Sequence, residues 1–347
     1  MKLLMITRKV DRDDAQAGFT YGWVKKMGQQ VDVLKVICLE KGNTKGLSNN
    51  VEVFSLGKEN GKNKLREFIN FYRGAFKFIG KVDGVFCHQN PEYTILIGPL
   101  AKLRRKKIVS WYSHKAINWR VKLMAFFAEK IITPTQEGFG LKSDKKVVVG
   151  HGIDTELFKP AEQKNKNDIF RVISVGRISP IKNYETLIEA IEIIRDKIDI
   201  KVDIIGGPGI KKQEIYFDKL KWMVKNKGLD KVIRFKGLIP NQELPRYYQE
   251  SDLSINLCPT GSPDKAVLES MASGLPVLVC NKTFASDLGP FVDKMLFKEK
   301  DAKDLSQKIL KLINSNQLKG IGLFLREQVV KNHNLDNLIG RIIKLYK

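Results

Sequence analysis

Short apolar, β-branched runs alternate along the chain with stretches whose apolar residues recur every three to four positions. Runs at 2–7, 31–37, 51–56, 82–88, 107–113, 130–135 and 145–149 predict strands. Helical periodicity separates several of them: through Trp23, Val24 and Met27, over 65–79, and over 93–103. Past Gly150 the alternation resumes, with strands at 170–178, 202–207, 232–237, 253–257, 276–279 and 295–297. Helices are expected from Tyr184, over 241–251, through Ala266 to Ala272, and over 302–313, 321–330 and 335–346. Strands alternating with helices imply α/β architecture, with mostly parallel, doubly wound sheets covered on both faces. Residues 161–169 are polar and aperiodic, which predicts a linker between a domain at 1–160 and a second at 170–332.

The helix at 65–79 reads in two ways. Leu65, Phe68, Ile69, Tyr72, Phe76 and Ile79 fall on one face, with Arg66, Arg73 and Lys77 opposite. That face either covers the sheet as an ordinary crossover helix does, which is the favoured reading, or rests on a membrane.

A length of 347 residues with 43% hydrophobic content supports two cores. The charge changes the picture more. The formal balance is +23, and residues 1–150 hold 28 lysines and arginines against 13 acids, peaking at Lys102, Arg104, Arg105, Lys106 and Lys107. Such a field suits an anionic membrane surface, an acidic acceptor or a solvated exterior. Nucleic acid is not expected as a partner, since no stacking motif or helix-turn-helix is present. Four scattered cysteines read as buried thiols, and four histidines (His88, His114, His151, His333) show no metal-ligand spacing, so no metal is expected. With no signal-peptide pattern and no apolar run approaching the ~20 residues of a membrane span, a cytoplasmic protein is expected, peripheral on the inner face of the membrane at most.

Chemistry concentrates at strand-to-helix turns. Arg177 and Lys182 bracket the turn after the strand at 170–178, where two cations beside a helix N-terminus form a pocket for a diphosphate. The turn at 259–263 delivers residues 260–267 and their backbone N–H groups to another helix start, a natural anion site. Glu269 lies in the second turn of that helix, within reach of a ribose attached to such an anion. In the first half, Gly18 sits in a small-residue loop suited to phosphate approach, although no G-x-G-x-x-G is present. His114 lies just past a strand expected to be central, and His88 also ends a strand.

The run LESMASGLPVLVCN (268–281) resembles the signature of retaining, nucleotide-sugar-dependent glycosyltransferases of the GT-B fold, the large family-four group. VGRISPIKNYETLIEA (175–190) resembles that family's phosphate-binding Arg and Lys segment, and VVVGHGIDTELFKP (147–160) its closing stretch of the first domain. The resemblance implies two Rossmann-like domains facing a cleft, with 333–347 a C-terminal helix returning to the first domain. It implies glycosyl transfer from a nucleoside diphosphate sugar (UDP- or GDP-) to a glycan or lipid-linked acceptor, with retained configuration and without metal or other cofactor. By resemblance, Gly18 lies near the donor phosphates, His114 beside the donor sugar, Gly207 in a glycine loop, and Leu238 where the base is held. Asp264, Lys265, Ala266 and Val267 would meet the donor and Glu269 its ribose.

One departure stands out. The family places two glutamates with seven residues between them around this turn; Glu269 matches the second, and the first falls on Gly261. Either Asp264 supplies the carboxylate, or backbone N–H groups of residues 264–267 hold the sugar, or activity is lost. The rivals to a transferase are a silent sugar-nucleotide or anionic-surface binding protein and a GT-B epimerase, whose catalytic acids have no evident counterpart here. A phosphorylase-like enzyme would need a lysine carrying pyridoxal phosphate and a longer chain.

Overall fold

The computed structural model describes residues 1–162, 169–261 and 263–347, so most of the expected linker, residues 163–168, lies outside the described residues. The chain divides into two compact units. The first comprises Met1–Asp154, Pro240–Gln242 and His333–Lys347, and the second Thr155–Ile239 and Glu243–Asn332. The crossing between them falls at Asp154 and Thr155, a few residues before the boundary read at 160.

The first unit runs β1 (Lys2–Val10), α1 (Gly18–Gln30), β2 (Val33–Lys41), β3 (Val51–Ser55), α2 (Lys64–Ile79) and β4 (Gly84–His88). It continues with α3 (Pro91–Leu103), β5 (Lys107–Trp111), α4 (Trp119–Phe127), β6 (Lys130–Thr133) and β7 (Lys146–Val148). Among the described residues its seven strands form a parallel sheet in the order β3-β2-β1-β4-β5-β6-β7. Strand alternation sorts the two cores. Leu3 and Met5 pack with Trp23, Val24 and Met27 of α1, whereas Leu4 and Ile6 pack with Phe71, Ala75 and Phe78 of α2 and Ile97 of α3.

The second unit begins with β8 (Phe170–Val175), α5 (Tyr184–Ile194), β9 (Ile200–Ile205), α6 (Lys211–Asn226), β10 (Ile233–Gly237), α7 (Leu244–Gln249), β11 (Leu253–Asn256), α8 (Lys265–Ala272) and β12 (Val277–Val279). Its parallel sheet has the order β10-β9-β8-β11-β12. Helices α9 (Ala285–Leu288), α10 (Val292–Met295), α11 (Ala302–Ile313) and α12 (Leu318–His333) follow. The last helix, α13 (Leu335–Lys344), belongs to the first unit, where Leu335, Leu338, Ile339 and Ile342 complete the core on the α1 side of the sheet.

Three expectations change. The strand expected at 295–297 is absent: α10 occupies the chain up to Met295, and Leu296 makes only an isolated bridge to Val279. Four helices have no counterpart among the expected ones: the short α9 and α10, α4, and the lysine-rich α6, whose buried residues are Tyr216, Leu220, Met223 and Val224. Finally, α2 covers the sheet mostly with a face its periodicity does not mark, Ile79 being the one marked residue that is buried. It buries Phe71, Ala75, Phe78 and Ile79, while Leu65, Phe68, Ile69 and Phe76 stay exposed.

Candidate active site

The carboxyl edge of the second sheet gathers most of the residues singled out from sequence, as expected for a parallel α/β sheet. Glycines let its loops meet. Gly206, at φ +144°, follows β9 so closely that a Cβ there would lie 1.9 Å from the Gly176 carbonyl oxygen. Backbone bonds from Gly176 N–H to Ile205 and from Ile178 N–H to Gly207 lock the two turns together. Arg177 then lies along the second loop, since a Cβ on Gly209 would sit 3.1 Å from Arg177 Cδ. A Cβ on Gly207 would sit 3.2 Å from Leu238 Cγ, so the exposed Leu238 side chain borders the same loop.

Lys182 points back over Gly176, with Nζ 3.6 Å from where a Cβ there would lie. It ion-pairs with Asp264, 82 residues away in sequence. Asp264 Oδ2 also accepts from Asn256 Nδ2 at 3.1 Å, and Oδ1 accepts from Ala266 N–H at 3.4 Å, capping α8. One carboxylate therefore ties the Arg177–Lys182 turn to the start of α8. Val267 is buried, with its N–H donated to the Asp264 carbonyl.

The turn before α8 is held from the segment that follows β12. Gly261, at φ +95° with open space where a Cβ would lie, has its carbonyl bonded by Asn281 Nδ2 and Thr283 Oγ1, each at 3.3 Å. A side chain at 261 would meet no steric clash but would be strained by that φ.

Behind this surface the site is buried and charged. Glu269 is buried on α8. Tyr248 is fully buried and donates to the Ala266 carbonyl at 3.1 Å. Burial, and then the Glu269 and Asp264 carboxylates, push the Tyr248 hydroxyl far up, so it stays a neutral donor. Burial lowers the Lys265 ammonium to about 8, opposed by the attraction of Glu269 and Asp264. Tyr184, also buried, donates to the Gly176 carbonyl at 3.2 Å and stiffens the turn that carries Arg177. Sequence reading missed Tyr184, Tyr248, Asn256, Asn281 and Thr283. Asn256 was the most findable, as a polar residue closing an apolar strand at the ligand edge.

The first unit holds the other two assigned residues. His114 lies exposed beyond β5, bridged to Phe139 and edge-on to Tyr112. Gly18 opens α1, but the amides there are engaged: Asp14 Oδ1 accepts from Gln16 N–H at 2.7 Å and Ala17 N–H at 2.6 Å, and the Asp14 carbonyl accepts from Gly18 N–H. Asp14 in turn pairs with Lys9, which also meets Asp11 and Glu40. An internal carboxylate thus sits where an anion would approach. His88 is buried among Trp23, Phe86 and Trp111, its Nδ1 3.1 Å from Thr7 Oγ1, a packed core histidine.

Among the described residues no three His, Cys, Asp or Glu side chains gather as a metal site would require. Burial pushes the Cys38, Cys87 and Cys280 thiols up to about 12, making them inert as nucleophiles.

This chain resembles known proteins at two levels. Its fold is similar along nearly the whole length to Anabaena HepE in complex with UDP and glucose (17% identity, TM-score 0.80, 99% of each chain covered). It is also similar to sucrose-phosphate synthase of Thermosynechococcus elongatus (16% identity, TM-score 0.74, 100% of this chain and 98% of the other). In sequence, mannosylfructose-phosphate synthase of Agrobacterium fabrum is 26% identical over 163 residues, 42% of this chain and 36% of that protein. Alpha-monoglucosyldiacylglycerol synthase of Streptococcus pneumoniae is 27% identical over 184 residues, 48% of this chain and 40% of that protein. The chain thus spans well under half the length of these curated relatives. Residues 154–333, which carry every second-unit residue described above, match the profile of the glycosyl transferases group 1. With two Rossmann-like units in the GT-B architecture and that match over half its length, the chain belongs to the glycosyl transferases group 1 family.

Proposed function

We propose that the protein transfers a glycosyl group from a UDP- or GDP-sugar to a glycan or lipid-linked acceptor, with retained configuration and without a metal or other cofactor. The observation that carries this reading is the junction of the Arg177–Lys182 turn, the glycine loop at 206–209 and the start of α8 at one sheet edge. Arg177 and Lys182 would take the diphosphate, Leu238 and Gly207 would border the base, and Glu269 would meet the ribose. The backbone N–H group of Lys265, at the positive end of α8, would add to the anion site.

In the transfer, the bond from the anomeric carbon to the β-phosphate oxygen breaks, and a bond to the acceptor oxygen forms on the same face. The departing phosphate accepts the acceptor's hydroxyl proton. Negative charge grows on that phosphate, and fixed cations are most effective where charge develops. Two carboxylates flanking the bond, as in glycoside hydrolysis, are not part of this scheme. His114 is proposed to contact the donor sugar, and His114→Ala should lower kcat more than it raises donor KM.

Relatives support the donor class without fixing the base or sugar. One neighbouring structure was obtained with UDP-glucose, while one curated relative is a GDP-mannose-dependent mannosyltransferase. The test is incubation with a panel of UDP- and GDP-sugars, reading released nucleotide and the anomeric configuration of any product by NMR. Nucleotide release with a product of retained configuration is expected. No turnover, together with no nucleoside diphosphate binding, would defeat the reading.

A further inference from the structure

The outer face of the first unit holds the feature that the site does not use. Helices α2, α3 and α4 form one layer: α2 and α3 cover the same core, Tyr72 of α2 donates to the Leu96 carbonyl of α3 at 3.2 Å, and Phe127 of α4 lies against Gly98 of α3. This layer exposes large apolar side chains. Leu65 is 70% exposed and Phe76 63% on α2, Leu103 is 78% exposed at the end of α3, and Trp119 is 66% exposed on α4. Lys102 caps the Phe126 ring, its Nζ 3.9 Å from the centroid, so cations and apolar groups are interleaved.

The charge around these side chains is one-sided. Residues 61–81, 91–107 and 117–130 hold 14 lysines and arginines against three acids. Of those acids, Glu67 is buried against Lys64, Glu92 is paired with Arg120, and Glu129 accepts from the Ile108 N–H. Little negative charge is left to face outward.

We propose that this layer is a docking surface for an anionic lipid bilayer, with α2 lying in the interface, its exposed stripe among the acyl chains and the surrounding cations on the headgroups. A helix with a second, outward apolar stripe beside arginine and lysine has the composition of an interfacial helix. Each cation near such a surface adds attraction that salt removes. A second copy of this chain fits poorly, because a two-fold contact would set one predominantly basic face against another, even with Lys64, Lys77 and Arg120 paired to Glu67, Glu52 and Glu92. Among the described residues no helix is long and apolar enough to cross a membrane. The proposal goes beyond the transfer reaction and does not depend on it.

The test is co-sedimentation of the full chain with vesicles of equal parts phosphatidylglycerol and phosphatidylcholine, beside phosphatidylcholine alone. Binding to the mixed vesicles only is expected, lost at about 1 M salt, where the screening length is about 3 Å. Replacing Leu65, Ile69 and Phe76 together by serine, all exposed and so neutral for folding, should cut binding at least about tenfold, as should Arg104→Glu with Lys106→Glu. Trp119 supplies a direct signal: its emission should shift to the blue on vesicles, and Trp119→Phe should remove the shift while substitution of the exposed Trp222 on α6 of the second unit, Trp222→Phe, leaves it. No binding to anionic vesicles at low salt would overturn the proposal. So would binding indifferent to both sets of substitutions, or self-association in sedimentation velocity that the serine variant abolishes.

Discussion

Replacing Asp264 by asparagine is expected to loosen the second unit while tightening its hold on a nucleoside diphosphate. Lys182 and Asp264 keep only 15% and 26% of their side-chain surface, and Asp264 also accepts from Asn256 and caps α8. Asparagine caps a helix about as well as aspartate, so the cap survives and the charge pair is lost. An exposed pair contributes about 0–1 kcal/mol, and breaking a fully buried one costs about 3–5 kcal/mol. This partly buried pair falls between, near ~2 kcal/mol, readable as a shift of the urea midpoint. The same quantity works in the opposite direction on binding. If Lys182 takes a phosphate, wild-type protein must first give up its bond to Asp264, a charged hydrogen bond of about 1.5–3 kcal/mol. The asparagine variant has no such bond to surrender, so UDP or GDP should bind about tenfold tighter by calorimetry. Sugar-free nucleotide isolates this effect from any contact between Asp264 and the donor sugar. Reduced stability with nucleotide affinity unchanged within about twofold would show that Lys182 does not bind the diphosphate. Tighter nucleotide binding with weaker binding of the intact donor would instead give Asp264 the sugar role as well.

Arg177→Ala or Lys182→Ala should lower kcat/KM by orders of magnitude, each removing a contact of ~2–4 kcal/mol in the transition state, with little change in the unfolding midpoint for Arg177→Ala. Lys265 sits near 8 in the folded chain, below its ordinary 10.5, so the folded state is penalised while the ammonium is charged. That penalty lifts as pH rises from 8 toward 10.5, so stability should climb over this window by up to about 3 kcal/mol, and Lys265→Met should flatten the climb in urea titrations. Bound diphosphate should restore the charge on Lys265, so nucleotide binding near pH 8.5 should take up protons, seen as buffer-dependent enthalpy, in wild type and not in Lys265→Met. Because Arg177 and Lys182 are proposed to offset the leaving-group charge, turnover should survive a chelator. Activity lost to EDTA and recovered with manganese would contradict that proposal.

Much of this molecule is legible in its sequence because buried parallel strands are short apolar runs, and turns between them are marked by glycine and proline. The strand β8, its turn and α5 follow from FRVISVGRI and the periodicity after Tyr184 alone. Helix α6 escaped because only a narrow stripe of it is buried beneath many lysines, leaving little period to detect. At 295–297 an apolar run was too short to separate a strand from the end of a helical turn. For α2 the periodicity found a true apolar stripe but could not say that a second face, with Phe71, Ala75 and Phe78, would be the one against the sheet. At the candidate site, position at a strand-to-helix turn together with the family resemblance singled out Arg177, Lys182 and Glu269. The pairing of Lys182 with Asp264, and the support from Tyr184 and Tyr248, depend on contacts between distant segments that no local spacing encodes.

The placement of α13 bears on how the chain comes into being. The first unit is synthesised early, yet Leu335, Leu338, Ile339 and Ile342 form part of its core, and Tyr346 lies against Gly84 beneath its sheet. Roughly 180 residues separate Asp154 from His333, so at about 5–20 residues per second the nascent first half waits some 10–40 s for its last covering helix. During that interval an apolar side of a basic, half-covered sheet is open to chaperones and to aggregation. A gene fragment ending at residue 154 would reproduce that unfinished state permanently, whereas a rearranged chain carrying α13 ahead of β1 would let the first half mature as it emerges.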